Sequence, residues 1–267
     1  MKRSPAVADQ FYYGDKERLT KQVRGFIVKD APKEHAIGVL SPHAGLIYSG
    51  AVAGHVYSSI RFPKTFVLIG PNHTGLGAPV SLWSQGQWEI PTGVFEVDEK
   101  LSRKILENIP LITKDMQAHA FEHCLEVQLP FIGYFELEVK IVPIIVMSAG
   151  LKELKAIGQG IAGAIKDIGY DVVIVASSDM SHYVSDTLAR QKDRLAIDRL
   201  LALDPEGLYN TVKKENISMC GYMPAVIMLY ASVTLGAKEA RLVRYATSGE
   251  VSGDFDHVVG YAGIIVK

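Results

Sequence analysis

The sequence contains only two cysteines, Cys124 and Cys220, in 267 residues. Two cysteines do not make a disulfide framework. One bridge between them is compatible with an intracellular protein of a hyperthermophile, but a buried thiol is the simpler interpretation for each. An apolar run long enough to cross a membrane is also missing, and no apolar core of signal-peptide length follows the N-terminal charges. We therefore expect a cytoplasmic protein that does not bind membranes.

An excess of either charge is missing as well. The chain has 28 basic and 29 acidic residues and a sequence pI near 6.7. This balance argues against a nucleic-acid-binding surface and against an anionic membrane as partner. Linkers rich in proline, glycine or serine and low-complexity segments are absent too, so we predict a single domain over residues 1–267.

What the sequence does contain is a repeated pattern of an apolar run followed by a histidine. Residues 36–40 lead to His43, residues 66–69 to His73, and residues 171–176 to Asp179 and His182. Each run has the length and composition of a strand buried on both faces of a parallel sheet. The carboxyl ends of such strands converge on one crevice, where ligands bind. Because imidazole is the commonest metal ligand and acid–base group, we predict one shared site there.

A second informative segment is residues 119–130, which contains His119, His123 and Glu126. In a helix these three side chains would lie on one face, at spacings of four and three residues. Such a face could bind a metal directly, or it could line a cleft whose metal lies elsewhere. The pattern lacks the His-Glu-x-x-His order of zinc proteases. We therefore favour supporting or substrate contacts for these residues over direct metal binding.

Cys220 stands just before an apolar helix predicted over residues 225–235. The positive end of a helix dipole lowers the pKa of a nearby thiol and favours the thiolate that binds metals. Cys220 is therefore a candidate metal ligand.

The remaining pattern alternates strands with amphipathic helices and predicts an α/β fold with a central mixed, largely parallel sheet flanked by helices.

Pro143 predicts an irregularity or an edge position in the strand over residues 139–147. Residues 79–97 predict an antiparallel pair of strands with a turn at Gln85-Gly86. Residues 247–257 either line the cleft or only connect two strands. One helix is predicted to begin at Lys16, and three more follow N-caps at Ser49, Asp98 and Asp204. Two further helices are predicted over residues 151–168, closed by Gly169, and over residues 186–201.

Five separated motifs together resemble the Memo family, whose prokaryotic members are also called AmmeMemoRadiSam system protein B. The likeness runs from the lead-in at residues 6–13 to residues 259–262, with the motifs in the family's order. The motifs are residues 41–45 (Ser-Pro-His-Ala-Gly), 70–73 (Gly-Pro-Asn-His), 122–131 (Glu-His-Cys-Leu-Glu-Val-Gln-Leu-Pro-Phe), 178–182 (Ser-Asp-Met-Ser-His) and 220–221 (Cys-Gly).

The resemblance implies a fold like that of class III extradiol dioxygenases, a non-haem iron group with two histidines and a glutamate on the metal. By position, His43 and His73 match the two histidine ligands, and Cys220 falls where those dioxygenases have the glutamate. His182 matches the acid–base histidine, with Asp179 beside it in the same motif. A thiolate in place of a carboxylate shifts metal preference toward zinc, Cu(I) or thiolate-bound iron and adds an oxidisable ligand.

Three functional hypotheses follow. The leading one is redox or oxygenase-type chemistry at His43, His73 and Cys220, with a metal ion that we expect to be iron or copper ahead of zinc. With zinc, the same residues suit hydrolysis by a metal-bound water, with His182 as general base. In the third, the cleft binds a small-molecule or peptide ligand, or handles metal, without catalysis. The resemblance supports this reading too, since Memo relatives are associated with signalling and with copper or iron binding. The sequence is compatible with an oligomer.

Overall fold

The fold is built on a large sheet and a small one. The computed structural model describes residues 1–267. The strands are β1 (Lys2–Arg3), β2 (Gly38–Ser41), β3 (Thr65–Pro71), β4 (Val80–Leu82), β5 (Gln87–Ile90), β6 (Gly93–Glu96), β7 (Thr113–Lys114), β8 (Lys140–Val146), β9 (Val172–Ser177), β10 (His182–Val184), β11 (Ala240–Thr247) and β12 (Val258–Val266).

Helices connect most of these strands. They are α1 (Lys16–Arg24), α2 (Leu46–Ser58), α3 (Glu99–Asn108), α4 (Leu129–Phe135), α5 (Leu151–Ile168), α6 (Asp186–Leu201), α7 (Pro205–Lys214), α8 (Tyr222–Thr234) and α9 (Gly249–Ser252). None of them combines the length and the apolar composition that crossing a bilayer requires.

The large sheet has the order β10-β12-β2-β9-β3-β8-β4-β7, and β11 pairs with β12 outside this path. Its centre is parallel, since β2 pairs with β9, β9 with β3, and β3 with β8 in parallel register. On the two sides, β12 runs antiparallel to β2 and β4 runs antiparallel to β8. The predicted α/β fold with a mixed, largely parallel sheet flanked by helices is therefore confirmed.

Two hydrophobic clusters cover the two faces of this sheet. Alternate residues of one strand belong to different clusters, as Phe66 and Leu68 face one side while Val67 and Ile69 face the other. Helices α3, α5, α6, α7 and α8 cover one face, and α1, α2 and α4 cover the opposite face. Burial on both faces explains why the central strands are continuously apolar in sequence.

The predicted helix caps at Asp98 and Asp204 are confirmed. Each side chain accepts a hydrogen bond from the backbone N–H three residues later, at the start of α3 and α7. Gly169 closes α5 in the left-handed conformation, as predicted. The predicted cap at Ser49 is wrong, because α2 already begins at Leu46 and the Ser49 hydroxyl donates to the Ala44 carbonyl inside its first turn.

Two strand predictions also need correction. The hairpin in residues 79–97 turns between β5 and β6, after Ile90, because β4 leaves this region to pair with β8 in the large sheet. Pro143 lies in β8, an interior strand with continuous register on β3. The backbone N–H of Trp83 donates to the Pro143 carbonyl, just beyond the last residue of β4. The Pro143 nitrogen faces the same side of β8, where β4 has ended and no backbone donor is required.

The helix considered for residues 119–130 does not form. The segment forms two single 3₁₀ turns, Gln117–His119 and Glu126–Gln128, with an irregular stretch between them. His119, His123 and Glu126 therefore do not share a helical face, and each lies in a different environment.

Candidate metal centre

The order of the central strands brings three polar segments together at one edge of the sheet. Strands β2, β9 and β3 are neighbours, and Ser41 of β2 lies opposite Ser177 of β9. His43 follows the carboxyl end of β2, Asp179 follows β9, and His73 follows β3. This is the edge at which open α/β sheets bind ligands.

Three imidazoles meet at this edge. Ring nitrogens of His43, His73 and His123 all lie within 4.8 Å of one another. The ring centroids are 5.2 Å apart for His43 and His73, 5.4 Å for His43 and His123, and 4.5 Å for His73 and His123. The prediction placed His43 and His73 in one site; His123 joins them there from the irregular loop.

Hydrogen bonds to Nδ1 fix the orientation of the first two rings. The Ser177 hydroxyl donates its only proton to the Cys124 carbonyl at 2.7 Å, so it accepts from Nδ1 of His43, 2.9 Å away. Nδ1 of His73 lies 2.8 Å from Oε1 of Glu122, an acceptor. Both rings therefore carry their proton on Nδ1 and keep a lone pair on Nε2, the arrangement typical of histidine metal ligands.

Cys220 lies beside the first of these lone pairs. Its Sγ is 3.2 Å from Nε2 of His43 and accepts a hydrogen bond from the Asp179 backbone N–H at 3.3 Å. Both cysteines are free thiols. The predicted lowering of the Cys220 pKa is wrong for the metal-free site: burial, followed by the negative charge of Asp179, raises it above the ordinary value. A bound cation would favour the thiolate by opposing both effects.

Glu122 is the residue that the sequence analysis missed. Besides Nδ1 of His73, its carboxylate accepts from the backbone N–H groups of His73 at 2.6 Å, His123 at 2.9 Å and Cys124 at 3.1 Å. Burial disfavours the ionised form, but the hydrogen bonds from the ring and the backbone of His73 favour it, and the pKa of Glu122 is lowered to about 2. The position of this acidic residue directly before His123 was the available signal, but the sequence analysis considered only the residues at helical spacing, His119, His123 and Glu126.

His182 and Asp179 frame the other side of the site. Nδ1 of His182 donates to the Ser218 carbonyl at 2.9 Å, and the His182 backbone N–H donates to the Ser218 hydroxyl. Asp179 stands beside His182 in the same motif, but its carboxylate accepts from the backbone N–H groups of His43 and Ala44. Burial raises the pKa of Asp179, and the charge of His182 acts in the opposite direction.

His119 and Glu126 lie apart from the three imidazoles. The His119 ring is fully buried and packs edge-to-face against the indoles of Trp83 and Trp88, with centroids about 6 Å away. Glu126 is also fully buried and forms an ion pair with Arg3. Neither side chain makes a hydrogen bond to His43, His73 or Cys220, so any influence of these two residues on the site is indirect.

The donor set suits a transition metal. Burial first, and then the charge of neighbouring histidines, lowers the pKa of His43 well below its ordinary value and that of His123 to about 4. Both are thus neutral near pH 7, which is the form that binds metals. Ligand atoms of His73, Glu122 and Cys124 also lie within 4.8 Å of one another, but the Cys124 thiol is fully buried and 3.2 Å from the Pro71 carbonyl, to which it donates.

Comparisons with known proteins agree on the family. Residues 3–265 match the family model described as Memo-like protein. A MEMO1 family protein of Methanothermobacter thermautotrophicus is 41% identical over 98% of this chain and 99% of its own length. A MEMO1 family protein of Aquifex aeolicus is 45% identical, with 98% of each chain covered. Among solved structures, an uncharacterized protein of Escherichia coli K12 aligns with a TM-score of 0.56 and 15% identity, over 85% of this chain and 98% of its own, which shows similarity of fold.

Proposed function

The chain belongs to the Memo-like protein family, and from this premise we propose that it binds iron or copper through His43, His73 and Cys220 and performs redox or oxygenase-type chemistry. One observation carries the proposal: Sγ of Cys220 lies 3.2 Å from Nε2 of His43, within a group of three converging imidazoles. Residues 43, 73 and 220 are far apart in sequence, so chance does not readily explain a convergent group of nitrogen and sulfur donors.

The kind of donor supports iron or copper. Imidazole nitrogens bind iron, copper and zinc, and a thiolate adds preference for softer ions. An oxidisable thiolate beside the metal also suits a centre that exchanges electrons. A bound iron or copper ion would supply Lewis-acid and electron-transfer chemistry to a ligand in the cleft.

The remaining residues orient the donors and move protons. Ser177 and Glu122 hold the Nδ1 protons of His43 and His73, and Asp179 holds the backbone of His43. His182 has Nδ1 fixed by Ser218, which leaves Nε2 to take or give a proton at the ligand. We propose a small-molecule or peptide ligand, since the exposed rings of Tyr48 and Tyr183 stand close in sequence to His43 and His182.

The test is elemental analysis of protein purified without added metal. We expect iron or copper in the wild type and its loss in His43→Ala, His73→Ala and Cys220→Ser, with circular dichroism checking that each variant folds. Cys124→Ser is the matched control, because it removes the other thiol and should keep the metal. Full metal content in both His43→Ala and Cys220→Ser would overturn the proposal.

His123 favours a second candidate function, zinc-dependent hydrolysis. The imidazoles of His43, His73 and His123 provide three nitrogen donors, a set with which catalytic zinc keeps its fourth position for a water. Under this alternative the purified protein contains zinc alone, and His123→Ala loses as much metal as His73→Ala. Under the leading proposal, His123→Ala keeps at least part of its iron or copper.

A further inference from the structure

The loop that supplies Glu122 and His123 is held by the N-terminal segment. We refer to residues 119–126 as the site loop and to residues 3–12 as the strap. The guanidinium of Arg3, in the strap, donates to the His119 carbonyl at 2.7 Å and to the Glu122 carbonyl at 2.7 Å. A third donor bonds Oε2 of Glu126 at 2.5 Å. One buried side chain thus holds the start, middle and end of the site loop.

Glu126 returns these contacts to the strap. Its carboxylate accepts from the backbone N–H groups of Ala6 at 2.8 Å and Val7 at 3.1 Å, and from the Tyr12 hydroxyl at 2.5 Å. The carboxylate is fully buried, so each of these donors would lose its partner if the charge were removed. The strap and the site loop therefore form one buried hydrogen-bonded unit.

The strap also reaches the candidate metal centre directly. The ring of Phe11 packs on His123, with centroids 4.5 Å apart. The Phe11 carbonyl accepts from the Leu46 backbone N–H at 2.8 Å, at the start of the helix that follows His43. The strap is thus tied to both sides of the imidazole group.

The site loop needs such support because regular secondary structure does not fix its centre. It contains only one 3₁₀ turn at its start and one beginning at its end, and Phe121 between them is 71% exposed. Glu122 and His123 nevertheless have to lie within hydrogen-bonding and ligand distances of His73. Small displacements of groups that orient metal ligands weaken metal binding.

We propose that the strap positions the metal centre: Arg3 and Glu126 are positioning residues that set metal affinity by holding Glu122 and His123 in place. This inference rests on the proposed metal-binding function and adds residues that touch no ligand of the metal. It predicts that breaking the clamp between Arg3 and Glu126 weakens metal binding in protein that is still folded.

The experiment titrates metal-free protein with Co²⁺ and follows the thiolate-to-cobalt charge-transfer band. Glu126→Gln removes the charge but keeps the shape, and Arg3→Lys keeps the charge but cannot span three acceptors. We expect dissociation constants about 10- to 100-fold higher in both variants. The matched control is Asp98→Asn, since Asp98 is a buried carboxylate that accepts from Thr65 and Tyr170 at the amino-terminal end of the strands. It should lower the melting temperature and leave Co²⁺ affinity unchanged.

Glu126→Gln and Arg3→Lys variants that melt lower but bind Co²⁺ like the wild type would overturn the inference and make the strap a structural anchor. Hydrogen exchange of the metal-free proteins separates this failure from that of the proposed function. The amides of His123 and Cys124, which donate to Glu122, should lose protection in Glu126→Gln and keep it in Asp98→Asn. A wild type whose Co²⁺ binding does not depend on His43 would refute the proposed function, while unchanged exchange would refute the positioning role.

Discussion

Glu122 connects several parts of the candidate metal centre. Its carboxylate accepts four hydrogen bonds, from the backbone N–H groups of His73, His123 and Cys124 and from the His73 ring. Charge-assisted bonds of this kind are about twice as strong as neutral ones. The carboxylate both fixes the His73 proton on Nδ1 and joins the site loop to the end of β3.

We therefore predict that Glu122→Gln weakens metal binding by about 10- to 100-fold. The amide has one acceptor oxygen where the carboxylate has two, so some of these donors lose their partner. Isothermal titration of metal-free protein with Co²⁺ measures the effect. Glu34→Gln is the matched control, because that carboxylate pairs with Arg241 and Lys267 ahead of β2, at the opposite end of the strand from His43. Equal affinities in Glu122→Gln and Glu34→Gln would contradict the prediction.

His119 predicts acid sensitivity. Burial, followed by the charge of Arg3, lowers its pKa from 6.5 to about 3. Below pH 6.5 the His119 side chain is protonated in the unfolded chain but stays neutral in the folded protein, so stability falls as pH drops from about 6.5 toward 3. Above pH 6.5 this residue contributes no pH dependence. The loss approaches about 1.4 kcal/mol per pH unit in the middle of that range.

Replacing His119 with phenylalanine removes this contribution and keeps an aromatic ring packed against the two indoles. Between pH 6 and 4 the melting temperature should fall less steeply with pH in His119→Phe than in the wild type. The corresponding difference in the free energy of unfolding should be on the order of 1.4 kcal/mol per pH unit. His55→Phe is the control, since His55 is a partly exposed residue of α2 whose ring bonds the Ala51 carbonyl. Parallel curves for the wild type and His119→Phe would refute the assignment.

The sequence pointed to those candidate site residues whose signal is local. His43, His73 and Cys220 each stand next to a strand end or a helix start, and an apolar run or a motif marks that position. His123 and Glu122 depend on a loop whose conformation is set by Arg3, more than a hundred residues earlier in the chain. No periodicity within residues 119–130 records that contact, so the helical interpretation failed there.

At the scale of elements, the start of α8 determines where Cys220 lies. Gly221 follows the cysteine, and its backbone N–H donates to the Ser178 hydroxyl at 3.0 Å. A Cβ added at Gly221 would overlap the Ser177 carbonyl oxygen and the Ser178 side chain. The helix can approach β9 this closely only because residue 221 is glycine.

Gly221→Ala should therefore displace Cys220 and reduce the metal content, with a loss of stability of about 1–3 kcal/mol. Gly163→Ala is the contrasting variant: it lies inside α5, and its added methyl would meet only the Asn108 side chain at an ordinary 3.7 Å. That change should stabilise the protein by about 0.5–1 kcal/mol and leave the metal content unchanged. Urea unfolding with elemental analysis tests both variants, and a Gly221→Ala protein with full metal content would disprove the role of this glycine.

Elements with local causes were predictable, and elements shaped by partners were less so. Asp98 and Asp204 cap their helices through neighbours three residues away, and the sequence displays both partners. The place of β4 depends on β8, more than fifty residues later, and the hairpin was therefore assigned to the wrong turn. Pro143 suggested an edge position because the sequence does not show that the partner strand β4 ends beside this residue.

At the scale of the molecule, the proposed metal ligands come from parts of the chain that are far apart in sequence. His43 follows β2, His73 follows β3, and Cys220 precedes α8, so one ion would connect two central strands to a helix packed on the sheet. Local opening of any of these elements would break a metal bond. Metal binding should therefore stabilise the whole fold, since a ligand that binds only the folded state adds its binding free energy to stability.

We predict that free metal at about 100 times its dissociation constant adds about 2.7 kcal/mol and raises the melting temperature by roughly 5–10 °C. Differential scanning calorimetry with Co²⁺ measures this shift. It should vanish in His43→Ala and Cys220→Ser, and persist in Cys124→Ser, whose buried thiol is not among the proposed ligands. Because the proposed ligands come from distant parts of the chain, the shift should move the entire transition and not split it into two. A split transition would mean that the metal stabilises only part of the fold. An equal shift in His43→Ala would mean that the metal binds at another site.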